Sequence, residues 1–121
     1  MRVALPMLLM LPMLADPASG GEADVVAAEI ERQADGRYTI SVTVTHADSG
    51  WEHYADRWEV LGPDGEPLGT RVLAHPHIDE QPFTRSQSDV EIPPGVTSVV
   101  VRAHDNVHGY GGKTVSLAVP R

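Results

Sequence analysis

The chain has 121 residues, 17 acidic and nine basic side chains, six histidines and no cysteine, for a formal charge of -8. That length suits one domain, and 41% hydrophobic with 21% charged residues argues against a disordered chain. The acidic balance, with Lys113 the lone lysine, argues against nucleic acid, and the missing cysteines exclude disulfides, thiolate metal sites, thiol nucleophiles and a cysteine-attached lipid anchor.

Arg2 precedes an apolar run from Val3 to Ala15, and small residues follow at Ala18-Ser19-Gly20. This is the order of a secretory signal peptide, expected over residues 1–23, with cleavage between Gly20 and Asp24. The run is too short to span a bilayer and is interrupted by Pro6 and Pro12, so no membrane span is expected in the mature chain. The mature protein, beginning near residues 21 to 24 and carrying a single domain over 24–121, is then periplasmic or secreted, and its core must hold it without disulfides.

From Asp24 onward the pattern is that of strands. Val25–Arg32 is a weak first strand, and Asp35-Gly36 supplies a hairpin turn. Arg37–His46 alternates strictly, with Tyr38, Ile40, Val42, Val44 and His46 on one face. Tyr54–Leu61 carries Trp58 and Val60 on one side, and Gly62-Pro63-Asp64-Gly65 is a turn. Strands are expected at Thr70–His75, Phe83–Ile92, Val96–Asp105 and Thr114–Val119, with a polar loop to Pro82 and a glycine-rich loop at Asn106–Gly112. In Val96–Asp105, Val99, Val101 and Ala103 share one face, while Val100, Arg102 and His104 share the other. Seven short strands joined by turns predict an all-β protein, a single seven-strand immunoglobulin/fibronectin-III-like antiparallel sandwich; a small Greek-key barrel is the alternative.

If each strand runs opposite to its predecessor, the loops after strands two, four and six lie at one end. All six histidines then fall there: His46 and His53, His75 and His77, His104 and His108, joined by Asp48, Glu52, Asp79, Glu80 and Asp105. Imidazoles with carboxylates suit zinc, copper or nickel. His75-Pro76-His77 places two rings on one side of extended backbone, and Pro76 stiffens the pair. The leading metal ligands are therefore His75, His77, His104 and His108, with His46 and His53 as substitutes or orienting partners. His46 continues an apolar face and reads more readily as a satisfied buried imidazole. A histidine–carboxylate network that merely fixes the three loops is the competing account.

Trp51, Tyr54, Trp58, Phe83 and Tyr110 are candidates for an aromatic cluster near these loops, with Trp58 in the core and Trp51 and Tyr110 either facing a partner or packing the loops. Arg85 is placed near the site, with an ion pair to Asp79, Glu80 or Asp105 its ordinary role. Ser49, Ser86 and Ser88 lack a nucleophile-elbow context, and a sandwich of this size offers no deep cleft for paired carboxylates, so no enzyme is expected.

The segments Trp51–Trp58, His75–Ser86 and His108–Gly112 resemble a family of small exported bacterial proteins with no established activity. The resemblance implies secretion and one small sandwich domain. The histidine pattern of copper-zinc superoxide dismutase is absent, and superoxide reductase needs a cysteine ligand that this chain lacks. The expectation is an exported β-sandwich that binds a transition metal ion, zinc or copper, through its histidine-rich end. The alternative is a non-metal module engaging a periplasmic protein or a glycan through the same loops, and a third reading is an enzyme using a metal-bound water.

Overall fold

The computed structural model describes residues 21–121, so all but the last three residues of the expected signal peptide lie outside the described region. Seven strands follow in order: β1 (Asp24–Arg32), β2 (Tyr38–Thr45), β3 (Ala55–Leu61), β4 (Pro67–Val72), β5 (Phe83–Val90), β6 (Ser98–Asp105) and β7 (Val115–Ala118). They form two antiparallel sheets, β1-β2-β5 and β4-β3-β6-β7, with no helix among the described residues. The protein is an all-β sandwich. No helix of the described residues is long and apolar enough to cross a membrane.

Strict alternation makes β2 and β6 the inner walls. Tyr38, Ile40, Val42 and Val44 from β2 face Val99, Val101 and Ala103 from β6, all buried. Trp58 and Val60 of β3 and Phe83 of β5 fill the space between them. Removing that apolar surface from water is the main stabilising term, at about 25 cal/mol per Å² buried. In β3 the pairing register with β6 shifts between Ala55 and Arg57, and this bulge lets both Ala55 and Trp58 point inward despite their odd spacing.

Strand positions follow the sequence pattern closely except at β4. Its expected span, Thr70–His75, moves to Pro67–Val72, so the turn before it shortens and His75 lies in the following loop. Pairing with β3 explains the shift: Leu61 opposes Pro67 and Arg57 opposes Val72, which starts the strand directly after the Gly65 turn.

The antiparallel pairing gathers the β2–β3, β4–β5 and β6–β7 loops at one end, as strand alternation requires. The amino-terminal segment joins them. Val25 N–H donates to the Lys113 carbonyl at 2.9 Å, and Lys113 N–H donates to Asp24 Oδ1 at 2.7 Å. Ala23 is completely buried beside this crossing. Gly112 permits the approach, because a Cβ there would meet the Ala23 carbonyl oxygen at 2.0 Å.

Candidate metal centre

His46 directly follows β2 and keeps the inward phase of Val42 and Val44. Asp105 ends β6 in the inward phase of Val101 and Ala103. The two inner walls therefore finish in an imidazole and a carboxylate that close the same end of the core. His53, from the β2–β3 loop, lies between them and the surface. One ligand atom from each of His46, His53 and Asp105 lies within 4.8 Å of the others.

Asp105 organises the cluster. Its Oδ2 accepts the backbone N–H groups of Val107 at 3.2 Å and His108 at 3.0 Å. The same oxygen lies 2.9 Å from His53 Nε2, 3.0 Å from His108 Nδ1 and 3.8 Å from His46 Nε2. Its other oxygen, Oδ1, is buried without a hydrogen-bond partner. Burial alone would push the Asp105 carboxyl up; the His108 backbone and side chain, the Val107 N–H and the His46 ring together hold it below the usual carboxylate value. It is thus an anion enclosed by three imidazoles, with the rings of His46 and His53 at 4.7 Å and those of His53 and His108 at 4.9 Å between centroids.

A second carboxylate orients the first imidazole. Asp48 Oδ1 accepts from His46 Nδ1 at 2.5 Å and from Ala55 N–H at 3.0 Å, and its Oδ2 accepts His77 N–H at 2.7 Å. With Nδ1 donating to Asp48, Nε2 is the nitrogen turned toward Asp105, the arrangement by which carboxylates fix metal-binding imidazoles. That Nε2 donates to the Gly21 carbonyl oxygen at 3.1 Å, a bond that a metal ion on Nε2 would replace. Gln81 ties the loops further, accepting His46 N–H at 2.9 Å and donating to the His77 carbonyl at 2.8 Å.

The other expected ligands do not converge as a set of four. His75 and His77 pair with each other, ring centroids 4.8 Å apart, but His77 is buried and stacks on Phe83 at 4.0 Å, while His75 is exposed. His104 points from the outward phase of β6 and bonds Asp56 Oδ1 at 2.6 Å, with the Tyr110 ring against it. His108 is the one member of that set beside Asp105. Alternation is the reason: His104 and Asp105 are adjacent on a strand and must face opposite sides.

The expected aromatic cluster divides. Trp51 and Tyr54 meet edge to face, Trp58 and Phe83 are core, and Tyr110 lies under the Arg102 guanidinium at 3.6 Å. Arg85 pairs with Glu80 at 3.1 Å, its ordinary role. The central position of Asp105, expected only among the accompanying acids, could have been found from phase: it continues Val99-x-Val101-x-Ala103 as His46 continues the apolar face of β2.

No protein-family model matches the chain. Over 94 residues it is 45% identical to a protein of the archaeon Halomicrobium mukohataei named "Putative lipoprotein", a match covering 78% of this chain and 46% of that protein. The chain thus spans about half the length of the curated relative it matches. That relative is archaeal, where the sequence resemblance implied a bacterial family. Among solved structures the chain is similar to superoxide reductase in the oxidised state, at 17% identity and a TM-score of 0.46, over 84% of this chain and 91% of that one.

Proposed function

We propose that this protein is an exported binder of a divalent transition metal ion, zinc or copper, held by His46, His53 and Asp105. The observation that carries the reading is the buried Asp105 carboxylate, with one oxygen unpartnered and imidazole nitrogens of two chain segments within 4.8 Å. A buried anion with an unused lone pair is costly unless a cation or donor meets it. The donor set fits: two imidazoles and a carboxylate suit zinc and copper, and no thiolate competes. Ligand atoms sit about 2.0–2.2 Å from such an ion and hence about 3.4 Å from one another, so the widest separation in the cluster, up to 4.8 Å, must close by about an ångström or more. His108, with Nδ1 3.0 Å from Asp105 Oδ2, holds that carboxylate from the surface side. The proposal assigns binding and no turnover.

Export is supported by the order of residues 1–23 and by the name of the Halomicrobium relative. An immunoglobulin/fibronectin-III-like kinship is supported by the strand order, with β4 beside β3 and three strands opposite four.

Calorimetric titration of metal-free protein with Zn²⁺ and Cu²⁺ tests the reading. Binding is expected below about 10 μM, weakening under pH 6 as imidazole protons compete with the metal. His53→Ala, partly exposed and outside the core, is expected to cost about 10- to 100-fold or more in affinity. Equal affinity in the variant, or affinity independent of pH between 5 and 7, would refute imidazole ligation at this site.

Trp51, Ile78 and Val107 are 64%, 58% and 57% exposed, one on each of the three loops around the cluster. Three apolar side chains ringing one end favour a protein or glycan contact there, with or without metal.

A further inference from the structure

The Gly21 carbonyl oxygen accepts a hydrogen bond at 3.1 Å from His46 Nε2, the nitrogen that the proposed metal would take in exchange for that proton. The chain is held in that place by contacts of its own. Ala23 is fully buried, Asp24 Oδ1 accepts Lys113 N–H, and Val25 N–H reaches the Lys113 carbonyl. The Gly111–Gly112 backbone lies against the same stretch, where added Cβ atoms would meet Glu22 Cγ at 3.1 Å and the Ala23 carbonyl at 2.0 Å. Residue 21 is therefore fixed beside the cluster by tertiary structure, although it is remote from His53 and Asp105 in sequence.

We infer that export processing makes Gly21 a metal ligand, its new α-amine and its carbonyl oxygen completing the site of His46, His53 and Asp105. The inference rests on the metal reading above. In the unprocessed chain the Gly21 nitrogen is an amide, whose lone pair is delocalised into the carbonyl of residue 20 and does not coordinate a metal while the N–H remains. Hydrolysis of the Gly20–Gly21 bond by an export peptidase consumes one water, leaves Gly20 as a carboxylate and leaves Gly21 with a primary amine. Ala18 and Gly20 place small residues three and one positions before that bond, the pattern such peptidases cut. The amine nitrogen and the carbonyl oxygen of one glycine close a five-membered ring on a metal ion. Glycine at this position adds no side chain to obstruct the cluster. A cut after Ala23 would instead discard the buried Ala23 and the Gly21 carbonyl with it.

The described sandwich, with all seven strands and its core, lies within Gly21–Arg121, so that span is the unit to test. The full chain is exported, and the amino terminus of the recovered protein is read by mass spectrometry. In parallel, three forms are titrated with Cu²⁺ and Zn²⁺: the chain beginning at Gly21, the same chain with one alanine ahead of Gly21, and the Gly21 form acetylated at its amine. A start at Gly21 is expected, with affinity at least tenfold lower in the extended and acetylated forms. The Cu²⁺ resonance spectrum should lose one nitrogen ligand in both, and His53→Ala should lose binding in all three. Equal affinity in the three forms, with His53→Ala still defective, overturns this inference and leaves the His46/His53/Asp105 site standing. A terminus other than Gly21 also overturns it. No binding in any form overturns both.

Discussion

His46 Nε2 and Asp105 Oδ2 lie 3.8 Å apart, although one side chain leaves the three-stranded sheet and the other ends a strand of the four-stranded sheet. Each continues the inward phase of its strand by one step beyond the apolar residues. The hydrophobic core thus ends in a polar pair where the two sheets are joined by loops.

Variants should separate this cluster from the other histidines. His75→Ala and His104→Ala are expected to leave Zn²⁺ affinity within about threefold of the parent, since neither side chain contacts Asp105 or His46. Asp105→Asn should abolish binding, because it removes the central anion. Competition with a chromogenic chelator checks all three, and a loss with His75→Ala comparable to Asp105→Asn would relocate the site.

Asp48 is a fully buried carboxylate that joins His46, Ala55 and His77. Asp48→Ala leaves two backbone N–H groups and an imidazole without their acceptor. The expected cost is about 3–5 kcal/mol, the range for breaking a buried charged pair by removing one partner. Urea unfolding followed by tryptophan fluorescence measures it, and a change under 1 kcal/mol would contradict the role as a hub.

His77 sets a pH dependence. Burial lowers its imidazole below the ordinary value, and the charges of Arg85 and His75 lower it further, against weaker opposing effects of Asp48 and Glu80. The folded protein therefore disfavours the protonated ring, and the unfolded chain takes up the proton first. Stability from this residue is complete above the unfolded pKa of about 6.5 and is lost as pH falls towards the lower folded value. In metal-free protein, the urea midpoint of the parent relative to His77→Gln should drop between pH 7.5 and 5.5. A constant difference, or an NMR titration of the His77 ring above 6.5, would contradict this.

Gly112→Ala tests how the amino-terminal segment is held. Its Cβ would meet a backbone oxygen, Ala23 O, which cannot rotate away. The crossing of Ala23–Val25 with Lys113 should loosen at a cost of about 1–3 kcal/mol, as for other overpacked contacts. Hydrogen exchange at the Val25 and Lys113 amides should accelerate while the β2–β5 amides stay protected.

Strand order and inner faces were legible because period-two alternation is a local property. Tyr38 to Val44 and Val99 to Ala103 state it without outside help, and antiparallel succession then puts every histidine at one end. The register of β4 was not legible: its sequence, Pro67–Val72, alternates weakly, and only pairing with β3 places it. Which histidines meet was likewise a tertiary matter. The local pair His75-Pro76-His77 looked like the stronger signal, yet stacking on Phe83 takes His77 out of reach.

By itself the sequence determined the class of the protein: an acidic, cysteine-free sandwich whose metal-capable side chains are imidazoles and carboxylates at one end. Tertiary structure decided the membership of the cluster. Chemical type is carried by each residue, whereas the meeting of Gly21, His46, His53 and Asp105 depends on sheet-to-sheet packing and loop closure, which bring together atoms that sequence separation says nothing about.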